Sequence, residues 1–206
     1  GKIRYCLWLG DCEPADLKNM PECLKRVEAV RKYRLASKSR PTRKLADKPR
    51  RFHVENMPKE DYIVIPKVSS ESRYYIPIGL LSAKQYQVIC YLLFNFGILT
   101  SAVHNCWMRS IAGRLKSDYR YSKEIVYNNF PWPEANKKQQ EKIAKLAQAV
   151  LDARKQFPGS SLADLYDPRT MPPVLLEAHQ NLDRGVMRLY GFSARMTDSA
   201  IVAKLL

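Results

Sequence analysis

The chain has 206 residues, 46% of them hydrophobic, which suffices for one large or two small packed cores. Lys and Arg number 35 against 20 Asp and Glu, a formal net charge of +15 that points to a polyanionic partner. No run approaches a membrane span of about eighteen apolar residues, and Gly1-Lys2-Ile3-Arg4 lacks a secretory core, so the expectation is a cytoplasmic protein with no membrane partner.

The charge is uneven. Residues 1–133 hold 24 Lys/Arg and 12 Asp/Glu, whereas residues 134–206 hold 11 and 8. Twelve cations fall within 25–51, opposed only by Glu28 and Asp47. Cys6, Cys12, Cys23, Cys90 and Cys106 form no C-x-x-C pair and have no histidine at ligand spacing, so they read as reduced and structural. His53, His104 and His179 are scattered, and no metal site is expected.

In chain order, residues 2–9 are rich in strand formers and read as a buried strand ended by Gly10-Asp11. A helix is expected from Asn19, with Asn19 as cap, Pro21 in the first turn and Glu22 completing a capping box. Met20, Leu24, Val27, Val30 and Leu35 would form its apolar stripe, leaving Lys25, Arg26, Lys32 and Arg34 to solvent or phosphate. Ser39-Arg40-Pro41 ends that helix, Thr42 to Ala46 adds a short basic turn, and Lys48-Pro49-Arg50-Arg51 reads as surface loop. Lys38, Arg40, Arg43 and Lys44 are the phosphate contacts expected here; such contacts add affinity without sequence information.

Tyr62 to Val68 and Arg73 to Ile78 read as a hairpin joined by Ser69-Ser70-Glu71-Ser72, with Pro66 and Pro77 forcing an edge or a bulge. Its tip offers Ser69 and Ser70 beside Lys67 and Arg73 as DNA contacts. Residues 86–96 read as another buried strand, and Gly97 to Ala112 as a core helix capped by Gly113. His104 on that helix reads as structural.

Residues 113–122, GRLKSDYRYS, read as one extended strand. Period two puts Leu115, Ser117, Tyr119 and Tyr121 on a packing face, with Lys116, Asp118, Arg120 and Ser122 on the other. Residues two apart on a strand lie about 6.6 Å apart, the reach of one or two base pairs. Lys116 can donate to guanine O6/N7, Asp118 can accept from cytosine N4, and Arg120 can serve guanine or a phosphate. Arg114 and Ser122 flank these readers as backbone contacts. The same pattern also fits a surface charge ladder.

Pro131-Trp132-Pro133 closes this part. Residues 134–156 read as a helix with Ile143, Leu146, Ala147, Val150 and Leu151 inward. Ser161 to Asp164 resembles a capping box. Pro172-Pro173 opens a third helix, with Leu175, Leu176, His179, Leu182, Val186 and Leu189 as its stripe and Gly191 as its stop, and Asp198 caps a last segment. The expected organisation is a mixed α/β basic domain over 1–133 and a small all-α domain over 134–206. About seventy residues of helix make a thin core, so the second part should pack on the first or on another domain.

No catalytic constellation stands out. There is no Gly-rich phosphate loop, G-x-S-x-G or His-Glu-x-x-His, and the carboxylates of the first part are scattered. Asn129-Phe130-Pro131-Trp132-Pro133 and Met171-Pro172-Pro173-Val174 read as a linker and a helix start, not as an Asn-Pro-Pro-aromatic base-flipping site.

GRLKSDYRYSKEIVYNNFPWP (113–133), with FGILTSAVHNCWMRSIA (96–112) before it, resembles the target-recognition region of the MmeI-like adenine-specific DNA methyltransferases, which include the type IIL restriction-modification enzymes. IPKVSSESRYYIPIG (65–79), RYCLWL (4–9) and DLYDPRTMPPVLLEAHQNLDRGVMRLYG (164–191) extend the likeness. Residues 82–95 depart from it. The resemblance implies an α+β target-recognition domain followed by an all-helical domain, both downstream of a methyltransferase core in the same polypeptide. It implies double-stranded DNA as partner and sequence preference set at Lys116, Asp118 and Arg120. It also implies that S-adenosylmethionine, and Mg if a nuclease is fused, bind outside this chain, which itself holds no cofactor, metal or catalytic residue. Two readings of other classes stand beside it: a non-catalytic basic RNA-binding protein, and a free-standing nuclease, which would need an acidic cluster to hold Mg.

Overall fold

The computed structural model describes residues 6–55, 58, 60–81 and 90–206. Two compact units emerge, one over Lys2–Met57 and one over Pro58–Leu206.

The smaller unit is helical: α1 (Pro14–Lys18), α2 (Pro21–Leu35) and α3 (Arg40–Lys44), which runs into a 3-10 turn, Leu45–Asp47. Residues 6–9 are irregular, not a buried strand. Leu9 is buried but Leu7 and Trp8 are exposed, and no strand among the described residues of this unit is available to pair with them. Residues 2–5 of that expected strand lie outside the described residues. Asn19 does not cap α2, because it already closes α1 by donating its N–H to the Asp16 carbonyl. Pro21, with φ preset and no N–H to satisfy, starts α2 without a side-chain cap, and no capping box with Glu22 forms.

The expected stripe on α2 buries nothing. Arginine donors tie this unit together instead. Arg34 gives two bonds from Nη1, to the carbonyls of Leu45 (2.8 Å) and Lys48 (2.9 Å), and one from Nη2 to that of Arg51 (2.8 Å). Arg50 reaches the Cys12 carbonyl (3.1 Å) and Arg51 the Gly10 carbonyl (3.0 Å). Trp8 stacks on Phe52 with ring centroids 5.5 Å apart.

The larger unit combines small antiparallel sheets with helices. β1 (Tyr62–Val64) pairs with β3 (Gly79–Leu81), in register Tyr62 to Leu81. β2 (Val68–Ser69) pairs instead with β5 (Asp118–Arg120), which also pairs with β4 (Gly113–Leu115), giving the order β2-β5-β4. The expected hairpin between 62–68 and 73–78 therefore does not form. Pro66 and Pro77 both fall outside the strands, and each would remove a ladder donor, so the chain changes partners there.

The expected strand over 86–96 is helical from residue 90: α4 spans Cys90–Thr100. Residues 86–89 lie outside the described residues. The single helix expected over 97–112 is two, because Ser101 caps α5 (Ala102–Ile111) by accepting from the His104 N–H, and its own N–H closes on the Ile98 carbonyl. Gly113 is not a left-handed cap; the extended Ala112 ends α5 and Gly113 opens β4.

A π-helical turn, Lys123–Tyr127, leads to α6 (Lys137–Lys155), α7 (Leu162–Leu165), α8 (Pro173–Leu189) and α9 (Asp198–Leu205). Asn136 and Gln139 form a full capping box on α6, and Ser161 and Asp164 form one on α7. Gly191, with φ of 71°, ends α8 in a Schellman motif in which Phe192 N–H meets the Met187 carbonyl. Thr197, one residue before the expected Asp198, caps α9. The core of this unit gathers Phe96, Ile98 and Leu99 of α4, Ile143, Ala147 and Val150 of α6, and Leu175, Leu182 and Val186 of α8. Gly97 and Gly185 lie where α4 and α8 approach α6: a Cβ on Gly97 would lie 2.9 Å from Ile143 Cγ2.

Candidate nucleic-acid interface

The strand pattern of residues 113–122 resolves into a hairpin. Leu115 faces Asp118 across it, leaving Lys116 and Ser117 as a two-residue turn. Lys116 has φ of 57°, a positive φ among the turn residues as primed hairpin turns require. The single row of Lys116, Asp118 and Arg120 is thus corrected. Asp118 and Arg120 lie two apart on one strand, while Lys116 sits at the turn.

Cross-strand register assigns the faces. Arg120 neighbours Val68 and Gly113, and Asp118 neighbours Leu115, on the outward face; Tyr119 neighbours Ser69 and Arg114 on the other. Tyr119 is 6% exposed and Leu115 52% exposed, so the packing face is carried by Tyr119, with Tyr121 half-buried against the core, and not by Leu115. Beside the sheet runs a groove whose eight lining residues include the cations Lys67, Arg120 and Lys123 and the carboxylate Glu124.

Beneath the sheet, α5 supplies Arg109, whose guanidinium carbon lies 5.5 Å from the Tyr119 ring centroid. Its Nη2 also donates to the carbonyls of Arg73 and, at 3.5 Å, Glu71. Arg114 lies over the same ring at 3.8 Å, donates to the Ser117 carbonyl at 2.8 Å and pairs with the Glu71 carboxylate at 3.1 Å. Neither Arg109 nor Glu71 was singled out by the sequence reading for this role. The signal that could have found them is weak, since cross-chain contacts leave no mark on periodicity.

The other expected contacts divide. Lys67, Lys116 and Arg120 are exposed. Ser69 is 5% exposed and faces inward with Tyr119. Ser70 shares a hydrogen bond of 2.9 Å with Ser72 and keeps the 70–73 turn closed. Arg73 is half-buried, with its Nε buried and unpartnered. The Ser122 hydroxyl accepts from the Ile125 N–H and donates to Glu124 at 3.1 Å, capping the π-helical turn. Hydrogen bonds from its own backbone N–H and then from the Ser122 hydroxyl hold the exposed Glu124 carboxyl below its usual value. In the smaller unit, Lys38, Arg40 and Lys44 are exposed and their side chains make no hydrogen bond or ion pair among the described residues, whereas Arg43 donates to the carbonyls of Ser37 and Lys38, both at 2.9 Å. Part of the basic run is therefore structural.

His104 is buried with its Nε2 3.0 Å from the Tyr121 hydroxyl, and burial pushes its value down to about 4. It anchors the chain just after β5, in agreement with a structural role. Among the described residues, no helix is long and apolar enough to cross a membrane.

The comparisons with known proteins match this arrangement. Residues 1–134 match the model of the MmeI target recognition domain and residues 135–206 that of the MmeI C-terminal domain. The DNA methyltransferase A of Bacillus subtilis (strain 168) is 40% identical over 196 residues, covering 92% of this chain and 22% of that protein. A structure of the type IIL restriction-modification enzyme MmeI in complex with DNA is 43% identical, with a TM-score of 0.83 over 97% of this chain and 28% of the solved one. The chain thus spans 22% of one of these relatives and 28% of the other. From its hairpin to its last helix, this chain belongs to the MmeI family, as a target recognition domain followed by a C-terminal domain.

Proposed function

We propose that this chain is the DNA-reading portion of an adenine-N6 DNA methyltransferase, with residues 1–133 as its recognition domain and 134–206 as its helical domain. The parent polypeptide would flip its target adenine out of the duplex, and this portion would choose which adenine. The observation that carries the reading is a family-matched hairpin with Asp118 and Arg120 on the outward face of its sheet and Lys116 at its exposed turn. These three are the proposed base contacts. Lys67, Ser70 and Arg73 in the larger unit, and Lys38, Arg40, Arg43 and Lys44 in the smaller one, are proposed to lie at or near phosphates. Ser69 and Ser122 would support the same surface by holding its backbone. S-adenosylmethionine would bind in the upstream methyltransferase domain of the same polypeptide, and Mg only where a nuclease is fused.

Mapping the adenines modified in genomic DNA by the complete polypeptide tests this. A single short sequence context is expected, and Lys116→Ala should relax one base pair of it by roughly 1–3 kcal/mol. Unchanged preference in that variant would remove Lys116 from the readers. Binding of duplex DNA should fall steeply with salt, because binding releases the counterions condensed on the phosphates; a flat response would count against the phosphate contacts, and a preference for single-stranded RNA would favour the non-catalytic alternative.

A further inference from the structure

Lys116 is a long side chain at an exposed turn, on a backbone with positive φ that a lysine does not favour. A reader placed there discriminates between bases only if the turn is held in one conformation, because a shift of an ångström moves the ammonium from one acceptor to the next. Strained backbone of this kind persists where neighbouring contacts over-determine it. Arg114 supplies those contacts. Its guanidinium carbon lies over the buried Tyr119 ring, 3.8 Å from the centroid, its Nη1 donates to the carbonyl of Ser117 at 2.8 Å, and the same nitrogen lies 3.1 Å from Glu71 Oε1. Glu71 is fixed in turn, since its carbonyl accepts from Arg109, which also lies beside the Tyr119 ring.

We propose that Arg114 is a positioning residue, clamping the Lys116–Ser117 turn between Tyr119 and Glu71 so that Lys116 presents its ammonium in one direction, and is not a phosphate contact. Its planar fork stacks and donates at once, which a lysine cannot do. Its charge is already matched by Glu71, so little of its field is left for a phosphate. The exposed ion pair alone would be a weak restraint; the stack on a buried ring and the carbonyl bond supply the direction.

The inference rests on Lys116 as a base contact, and the test separates the two. In the complete polypeptide, Arg114→Lys, Arg114→Ala, Glu71→Ala and Lys116→Ala are compared for methylation of the preferred site against sites changed at single base pairs, and for the salt dependence of duplex binding. Arg114→Lys and Arg114→Ala are both expected to lose about tenfold or more of the discrimination at the base pair that Lys116→Ala relaxes, with the salt slope unchanged. Glu71→Ala is expected to lose less, in the same direction. A phosphate contact predicts otherwise: Arg114→Lys near wild type, Arg114→Ala weaker at all sites alike with the salt slope reduced by about one, and Glu71→Ala tighter at all sites. That pattern overturns the proposal. If Lys116→Ala keeps full preference, the base-reading assignment falls and this inference with it; if Lys116→Ala loses preference while Arg114→Lys keeps it, only the clamp falls. Should Arg114→Ala fail to fold, Arg114→Lys and Glu71→Ala carry the same decision.

Discussion

The Tyr75 hydroxyl donates to Oδ2 of Asp183 at 2.6 Å, fastening the segment before β3 to α8. The other carboxylate oxygen of Asp183 accepts from the Ala102 N–H at 2.7 Å, so one side chain of the C-terminal helices caps the first turn of α5. Burial pushes the Asp183 carboxyl up to about 6, against the pull of those two donors.

Tyr75→Phe should therefore cost about 1–3 kcal/mol of folding stability near neutral pH, because it leaves a buried carboxylate short of a donor. Asp183 has a folded value above its unfolded 3.8, so its contribution is full below about 3.8 and lost as pH rises through about 6. The Tyr75 bond matters most where Asp183 is charged. Urea titrations should show a larger penalty at pH 7.5 than at pH 5; equal penalties would mean that Asp183 does not change charge between them.

Gly97→Ala should destabilise although alanine is the better helix former. The added Cβ would meet Ile143 Cγ2 at 2.9 Å and Ala147 Cβ at 3.1 Å, both on α6. Separating α4 from α6 should cost about 1–3 kcal/mol, outweighing a gain of roughly 0.5–1 kcal/mol in helix propensity. A raised Tm in this variant would show that the two helices yield without strain.

Acid should weaken the larger unit. Burial holds His104 down to about 4 and His179 to about 3, both below the unfolded 6.5. Groups depressed in this way contribute stability above 6.5 that is lost as pH falls through their folded values. Asp183 acts in the opposite sense between about 3.8 and 6, but it is one group against two. A net loss on the order of 3 kcal/mol between pH 7 and 4.5 follows. His179→Gln should flatten the dependence of Tm on pH over that range, even if it lowers Tm at pH 7. His179 Nε2 and the Tyr166 hydroxyl share a hydrogen bond of 2.6 Å, the hydroxyl is also held by Arg154 Nε at 2.9 Å, and a glutamine can take the histidine's place in that bond without titrating.

Lys116→Asn should separate stability from recognition. Asparagine tolerates the positive φ that lysine adopts here at a cost of about 1–2 kcal/mol. Thermal stability should hold or rise slightly, while the complete polypeptide loses preference at one base pair. If the substitution leaves the preferred site unchanged, the turn does not read bases.

The helices of the C-terminal part were legible in the sequence because each carries its own start and stop. Asn136 with Gln139, Ser161 with Asp164, and Gly191 act through residues three or four positions away, and the apolar stripe on α8 lies where the period of 3.6 puts it. Residues 90–96 were misread as strand because a helix buried among others shows no polar face, and a short apolar run fits either period. The stripe on α2 misled for the converse reason: it buries nothing, and Arg34 makes the long-range bonds of this helix through carbonyls distant in sequence.

By itself the sequence determined the basic balance of residues 1–133, the helices after residue 136 and the family likeness, with Lys116, Asp118 and Arg120 as the expected readers. Only the tertiary structure decided how those three are presented. Alternation along GRLKSDYRYS describes one strand or two equally well. The choice of a turn at Lys116 depends on β2 supplying Ser69 opposite Tyr119, on Arg109 lying beside the Tyr119 ring from α5, and on Glu71 meeting Arg114. Ser69 and Tyr119 lie 50 residues apart in the chain and Glu71 and Arg114 lie 43 apart, and contacts at that separation act through space, leaving no period for the sequence to display.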